Sequence, residues 1–480
     1  MRDRIEALQT AARPLEPDAE QRRLLLEKVD AYAQGFLGRL AEAPAYSSSP
    51  DMGQGLLATP PSEEGVSIDE ALALLGRHVD GPGVNPASGR FLGYIPGGGL
   101  YTAALGDYLA AVANRYAGHF FASPGAVRME NMLLGWMAKE VGFPQTYAGN
   151  LTSGGSVANL VSVVTARDAC DIFGGDSRPA VVYLTEHTHH SIEKALRIAG
   201  VGHSVVRRVP VDERFRMQAQ ALQAILEEDR RRGLRPWLLV ASAGSTNTGS
   251  VDPLPDLAQI AAQEGLWFHV DGAYGGFFVL CEEGQRILEG MDLADSLVMD
   301  PHKTLFLPYG TGAVLVRDGG RLFAAHHTTA DYMQDTFEAI QELSPTDVSP
   351  ELTKHFRGLR LWLSLQVAGV AAFRAALEEK LLLTQYFYEK IGETDGFEVG
   401  PPPDLSVAIY RYVPPRGDPD AFNARLVEAL QDDGRIFISS TMIDGRFVLR
   451  AAIVNFRTHL EQVDMALRVL RETAQKLASS

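Results

Sequence analysis

An acid and an amine stand at matching ends of two apolar runs. The run LWFHV stops at Asp271, and the run DSLVM stops at Asp300-Pro301-His302-Lys303. A lysine amine can condense with an aldehyde, and a carboxylate can keep a proton on a basic ring nitrogen. Together they suit a cofactor that draws electrons away from a substrate carbon. A third stretch, Gly149-Asn-Leu-Thr-Ser-Gly-Gly-Ser156, runs into the helical pattern VANLVSVVTARDAC. Glycines and hydroxyls at a helix N-terminus offer backbone N–H groups and the positive dipole end to an anion. No Gly-Lys-Ser/Thr follows, so the stretch is not a nucleotide P-loop.

These groups need a scaffold that delivers them to one place. Residues 282–295 predict one amphipathic helix between the two apolar runs, which gives strand, helix, strand. Such a unit makes the strands parallel neighbours, with both carboxyl ends at the sheet edge where open α/β sheets bind ligands. AVVYLT (180–185) and PWLLVASAG (236–244) predict further strands, and a return strand follows Lys303. The expected fold is α/β, with a mostly parallel, helix-covered sheet. Three regions are expected: a helical arm and linker over 1–85, a large domain over 86–378, and a smaller α+β domain over 379–480. In the arm, Leu24, Leu25, Val29, Tyr32 and Phe36 form an apolar stripe that needs another subunit or its own domain as partner. Residues 320–356 have weak periodicity and read as a long loop.

HVDGAYGG and DPHK, set behind TSGGS, resemble the pyridoxal-phosphate-dependent amino-acid decarboxylases of group II, which include the aromatic-L-amino-acid and glutamate decarboxylases. The resemblance covers about 85–460. It implies the fold-type-I, aspartate-aminotransferase-like architecture, pyridoxal 5'-phosphate as cofactor, an amino-acid substrate, and a homodimer with sites at the interface. By this resemblance Lys303 binds the cofactor aldehyde and Asp271 its ring nitrogen. Ser153, Gly154, Gly155 and Ser156 cradle the phosphate, although Val157 stands where many members have glutamate. His189 stacks on the ring opposite Ala273 and reaches the substrate carboxylate, while Thr246 and His302 lie beside the cofactor. Tyr94 and Tyr116 are either core residues or substrate contacts. Arg450 is either a strand-end arginine or a group near the site. Gly97 replaces the hydroxyl residue that relatives acting on aromatic amino acids carry, which leaves the substrate side chain open; the aromatic residues of 94–121 favour an aromatic one.

The implied activity is decarboxylation of an L-amino acid to the amine and CO2. A carbon–carbon lyase, an aldehyde synthase or an aminotransferase on the same fold is the alternative, because the cofactor site does not choose which Cα bond breaks. A silent fold used for binding is disfavoured by the full set of cofactor-contact residues. The net charge of −16 argues against a nucleic-acid partner. Two cysteines, Cys170 and Cys281, make no disulfide framework. His187, His189 and His190 lack a further ligand at a matching spacing, so no metal site is expected. The charged N-terminus and the lack of an apolar run near about 18 residues lead to an expectation of no membrane segment and a cytoplasmic location. Tyr332, between the lysine and FRGLRLW, is either the acid that returns a proton to Cα or a residue that packs its loop. In the first case Tyr332→Phe binds substrate and cofactor as before, but forms amine at least about 100-fold more slowly. Aldehyde or transamination products then appear by chromatography; unchanged amine output transfers the role to His189.

Overall fold

Each strand of the main sheet sends alternate side chains to opposite faces, and both faces are buried except along the edge strand Val205–Arg208. Leu238 and Val240 belong to one apolar cluster, while Leu239 and Ala241 belong to the other. The computed structural model describes residues 1–49, 51–95, 97–328 and 342–479. Two short strands, β1 (Tyr46–Ser47) and β2 (Gly83–Val84), pair near the N-terminus, and β3 (Phe91–Leu92) follows. The main sheet contains β4 (Ala148–Thr152), β5 (Ala180–Leu184), β6 (Val205–Arg208), β7 (Arg235–Ser242), β8 (Trp267–Asp271), β9 (Ser296–Met299) and β10 (Gly312–Val316). Their spatial order is β4-β10-β9-β8-β7-β5-β6. Only β10 runs against its neighbours, so β4, β5, β7, β8 and β9 bring their carboxyl ends to one edge. The mostly parallel sheet expected from the sequence is the one observed.

A second, five-stranded sheet holds β11 (Phe397–Val399), β12 (Val407–Tyr412), β13 (Phe437–Ile443) and β14 (Arg446–Ala452), in the order β11-β12-β14-β13-β3. β3 enters from the N-terminal half and pairs in parallel with β13. The boundary expected at 378/379 falls inside one continuous helix, Val370–Gly392. That helix meets Gly358–Ala368 at a 91° bend, with Gly369 at φ 75° between them. No single helix among the described residues is long and apolar enough to cross a membrane.

Two local expectations need correction. Residues 282–295 do not form one helix: Glu282–Ile287 is helical, and a short 3-10 turn, Met291–Leu293, follows. Gly290 breaks the run at φ 87°, where a side chain would press on Pro255. The stretch read as loop from 320 begins instead with the helix Gly319–His326, capped by Asp318. In the arm, Leu24, Leu25 and Val29 are 40–47 % exposed, so this chain alone leaves that part of the stripe uncovered.

A buried ion pair fastens β4 to the segment that starts at 342. Lys354 Nζ donates to Glu130 Oε1 at 2.8 Å and to Asn150 Oδ1 at 3.0 Å, and Glu130 Oε1 also accepts the Leu151 N–H. Lys354→Met leaves Glu130 buried without a counter-ion, and is expected to lower unfolding free energy by about 3–5 kcal/mol in urea melts. The double variant Glu130→Gln/Lys354→Met recovers part of that loss. A single-variant loss below about 1 kcal/mol, the range of an exposed pair, refutes the pair's structural role.

Candidate active site

The cradle begins where β4 ends. Thr152 Oγ1 bonds within the turn to both the N–H and the carbonyl of Gly154. Gly154 has φ 155°, and a Cβ on Gly155 would stand 2.8 Å from Asp300 Oδ2 and 3.1 Å from Ala273 Cβ. Only glycine fits both positions, so the first turn of the helix Gly155–Ala169 lies bare against the cavity. Ser153 and Ser156 are exposed there, beside the helix N-terminus.

The same helix reaches Asp271 one turn further on. Asn159 Nδ2 donates to Asp271 Oδ2 at 3.0 Å and to Ser191 Oγ at 3.0 Å. Its Oδ1 therefore accepts from His269 Nε2 at 3.0 Å. His269 Nδ1 then accepts the Ser296 hydroxyl at 2.9 Å, and Ser296 Oγ accepts Trp267 Nε1–H at 2.8 Å. A directed chain of donors thus runs from Trp267 through Ser296, His269 and Asn159 onto Asp271. The second carboxylate oxygen accepts the Ala273 N–H at 3.1 Å. Both oxygens of this 8 % exposed carboxylate act as acceptors.

His189 follows β5 and is held by Ser191, whose Oγ lies 2.8 Å from its Nδ1. Burial lowers the His189 pKa, against the opposing pull of Asp271, which favours the neutral ring. His302 Nδ1 donates to the Thr311 carbonyl at 2.6 Å, leaving Nε2 as the acceptor; burial lowers its pKa as well. Lys303 Nζ meets Asp300 Oδ2 at 3.0 Å. Thr246 sits on a loop stiffened by the buried hydroxyls of Ser245, Thr248 and Ser250.

These groups line one cavity of about 390 Å³. Ser153, Gly154, Gly155, Ser156, His189, Thr246, Asp271, Ala273, His302 and Lys303, the ten residues expected around the cofactor, are all in its wall. Tyr94, Tyr116 and Arg450 are not. Tyr94, at φ 52°, turns its ring outward beside Phe91 and Phe437 and is 59 % exposed. The Tyr116 hydroxyl donates to the Leu352 carbonyl. Arg450 spends its guanidinium on the carbonyls of Thr246 and Asn247 and on Ser439, so it supports the Thr246 loop from behind; burial lowers its pKa to about 10. Tyr332 lies outside the described residues. No three His, Cys, Asp or Glu side chains converge as a metal site among the described residues.

Sequence reasoning missed Asn159, Ser191, Ser296 and His269. One signal was available: His269 and Asp271 are two apart on a strand and must share a face. Gly97 also gains a reason, because a Cβ there would come 2.5 Å from the His302 carbonyl oxygen and 2.7 Å from that of Lys303.

Pyridoxal phosphate fits these residues. The glycine turn leaves room that a Cβ would fill, the bare helix N-terminus suits a phosphate, the acceptor carboxylate suits a protonated ring nitrogen, and Lys303 supplies the amine. Fold and site together define a fold-type-I pyridoxal-phosphate-dependent carboxy-lyase. Residues 81–413 match the pyridoxal-dependent decarboxylase conserved domain, and the chain belongs to that family. It is 33% identical over 423 residues to an aromatic-L-amino-acid decarboxylase of Bacillus atrophaeus, covering 87% of this chain and 88% of that one. A phenylacetaldehyde synthase of Petunia hybrida is 29% identical over 414 residues, 82% of each chain. The crystal structure of Oryza sativa TDC with PLP and tryptamine superposes with a TM-score of 0.91 at 26% identity, covering 96% of this chain and 99% of that one.

Burial holds His269 at a pKa of about 4, against 6.5 for an ordinary imidazole. Between these values the unfolded chain binds the extra proton, so stability is complete above about pH 6.5 and is lost as pH falls towards about 4. Wild type is expected to lose up to about 3 kcal/mol more than His269→Asn over that window. Urea melts at stepped pH measure the difference, and parallel pH profiles refute it.

Proposed function

We propose that this chain decarboxylates an L-amino acid whose side chain is uncharged and aromatic. The observation that carries the proposal is a second recess beside the first. About 240 Å³ in volume, it shares His302 and Tyr309 with the main cavity and, among the described residues, is otherwise walled by Pro86, Ala87, Gly97, Gly98, Gly99, Leu307 and Pro308. None of these carries a formal charge that would pair with an acidic or basic side chain. Arg457 reaches the backbone of this wall, but its guanidinium is taken up by the carbonyls of Ala87 and Gly98. The names of the Bacillus relative and of the rice complex point the same way.

When bound, pyridoxal phosphate supplies a ring that accepts the electron pair released at the substrate Cα. Asp271 keeps a proton at the ring nitrogen. The N–H groups of the Gly155–Ala169 helix and the hydroxyls of Ser153 and Ser156 hold the phosphate. His189, neutral and fixed by Ser191, covers the ring face opposite Ala273 and orients the substrate carboxylate. Lys303 ties the resting cofactor, and Tyr332 returns the proton to Cα. The half-covered stripe of Leu24, Leu25 and Val29 supports a homodimer, in which Tyr94 and Tyr116 become candidates to face a neighbouring site. The large sheet then carries the cofactor, and the small sheet braces its Thr246 loop.

The Petunia relative supports a second reading, oxidative release of an aldehyde from the same residues. A panel of L-amino acids decides. The expected result is amine and CO2 from aromatic substrates without oxygen uptake, with borohydride fixing the cofactor to the peptide that contains Lys303. Aldehyde with oxygen uptake selects the second reading, and turnover restricted to acidic substrates refutes the proposed class.

A further inference from the structure

Asp300 occupies a position that a structural role does not explain. It stands immediately before the helix Pro301–Thr304, where an aspartate is expected to cap a backbone N–H, yet its side chain caps none. It is 1 % exposed, and its Oδ1 has no hydrogen-bond partner among the described residues. The carboxylate is also walled in. A Cβ on Gly155 would stand 2.8 Å from Oδ2, and one on Gly312 would stand 2.7 Å from Oδ1. Burying a carboxylate with one oxygen unpaired is unfavourable and needs a compensating charge. That charge is the Lys303 amine, 3.0 Å from Oδ2, with His302 Nε2 further off at 3.8 Å.

We propose that Asp300 is the seat of the unattached Lys303 amine. This deepens the reading given above and rests on it for the bond between Lys303 and the cofactor. A substrate arrives with its amine protonated. As its nitrogen takes over the double bond to the cofactor's aldehyde carbon, both bonds from that carbon to Lys303 Nζ break and their electron pairs stay on Nζ. The three protons shed by the substrate ammonium end there too, and the resulting lysine ammonium rests on Asp300 Oδ2. An ammonium has no free pair with which to attack carbon, so Lys303 does not retake the cofactor while substrate holds it. Three residues of separation keep the amine close enough to return once product leaves.

The test reads the amine directly in the full-length protein stripped of cofactor. Trace acetic anhydride at neutral pH is followed by peptide mass spectrometry, with acetylation of Lys303 expressed relative to exposed Lys139. Asp300→Asn keeps the shape of the side chain and removes its charge. It is expected to raise the Lys303 ratio by roughly tenfold and to speed capture of added pyridoxal phosphate. Asp300→Ser, which fits within the same walls, is the second variant and is expected to raise the ratio likewise. An unchanged Lys303 ratio in a folded variant overturns the seat. Borohydride trapping of loaded wild type separates the two readings: cofactor fixed on Lys303 with an unchanged ratio refutes the seat alone, whereas cofactor fixed elsewhere refutes the role of Lys303 itself.

Discussion

A carboxylate held inside the protein purely as an acceptor is the constraint on which the rest of this site depends. Asp271 can stay buried and ionised only if donors surround it, because an unpaired charge in the interior is far too unfavourable to persist. The donors come from Asn159 and the Ala273 backbone, and Asn159 is in turn oriented by His269. Each link fixes the direction of the next. A protonated His269 would present a hydrogen to the Ser296 hydroxyl in place of a lone pair, and the hydroxyl hydrogen would need another acceptor, while Nε2–H would still donate to Asn159. The low pKa of His269 therefore preserves the direction of the Ser296 link.

The helix Gly155–Ala169 serves this arrangement twice. Its bare N-terminus faces the cradle, and one turn later Asn159 reaches across to β8. Anion cradle and acid are thereby spaced by helix geometry rather than by loop conformation. The small sheet contributes through its grip on the intervening loop. Arg450 of β14 holds the carbonyls of residues 246 and 247, the Tyr274 hydroxyl bonds to Ser406, and Asp404 accepts the Val251 N–H. One wall of the cavity is thus set by residues from the other sheet.

The sheet, its parallel order and the placement of Asp271 and Lys303 could be read from sequence because they follow from local pattern. Apolar runs ending in polar residues mark strand ends, and strand ends of a parallel sheet share an edge. The Trp267–Ser296–His269–Asn159 chain could not be read, because its members lie on β8, β9 and a helix more than 100 positions away, and no local periodicity links them. Lys354 and Glu130 were hidden for the same reason, being 224 positions apart. The helix expected over 282–295 failed on a single residue, since Gly290 takes a backbone conformation that the apolar pattern does not reveal. Tyr94 carried an aromatic signal that suggested a pocket, while its positive φ turns the ring towards the surface. The boundary expected at 378/379 lies within the unbroken helix Val370–Gly392, which the helical pattern leading into the smaller domain does not locate more finely.

The pairing of β3 with β13 has a consequence for how this protein is made. Tyr94, just beyond β3, donates its N–H to Ser439, 345 positions later in the chain. At the usual elongation rate of about 5–20 residues per second, the ribosome delivers that partner roughly 20–70 s after β3 has emerged. Through that interval Phe91 and Leu92, which end up fully buried, have no strand to lie against. The large sheet can be complete while its own N-terminal flank still waits. During synthesis the nascent chain therefore presents an apolar strand edge that chaperones are well placed to cover.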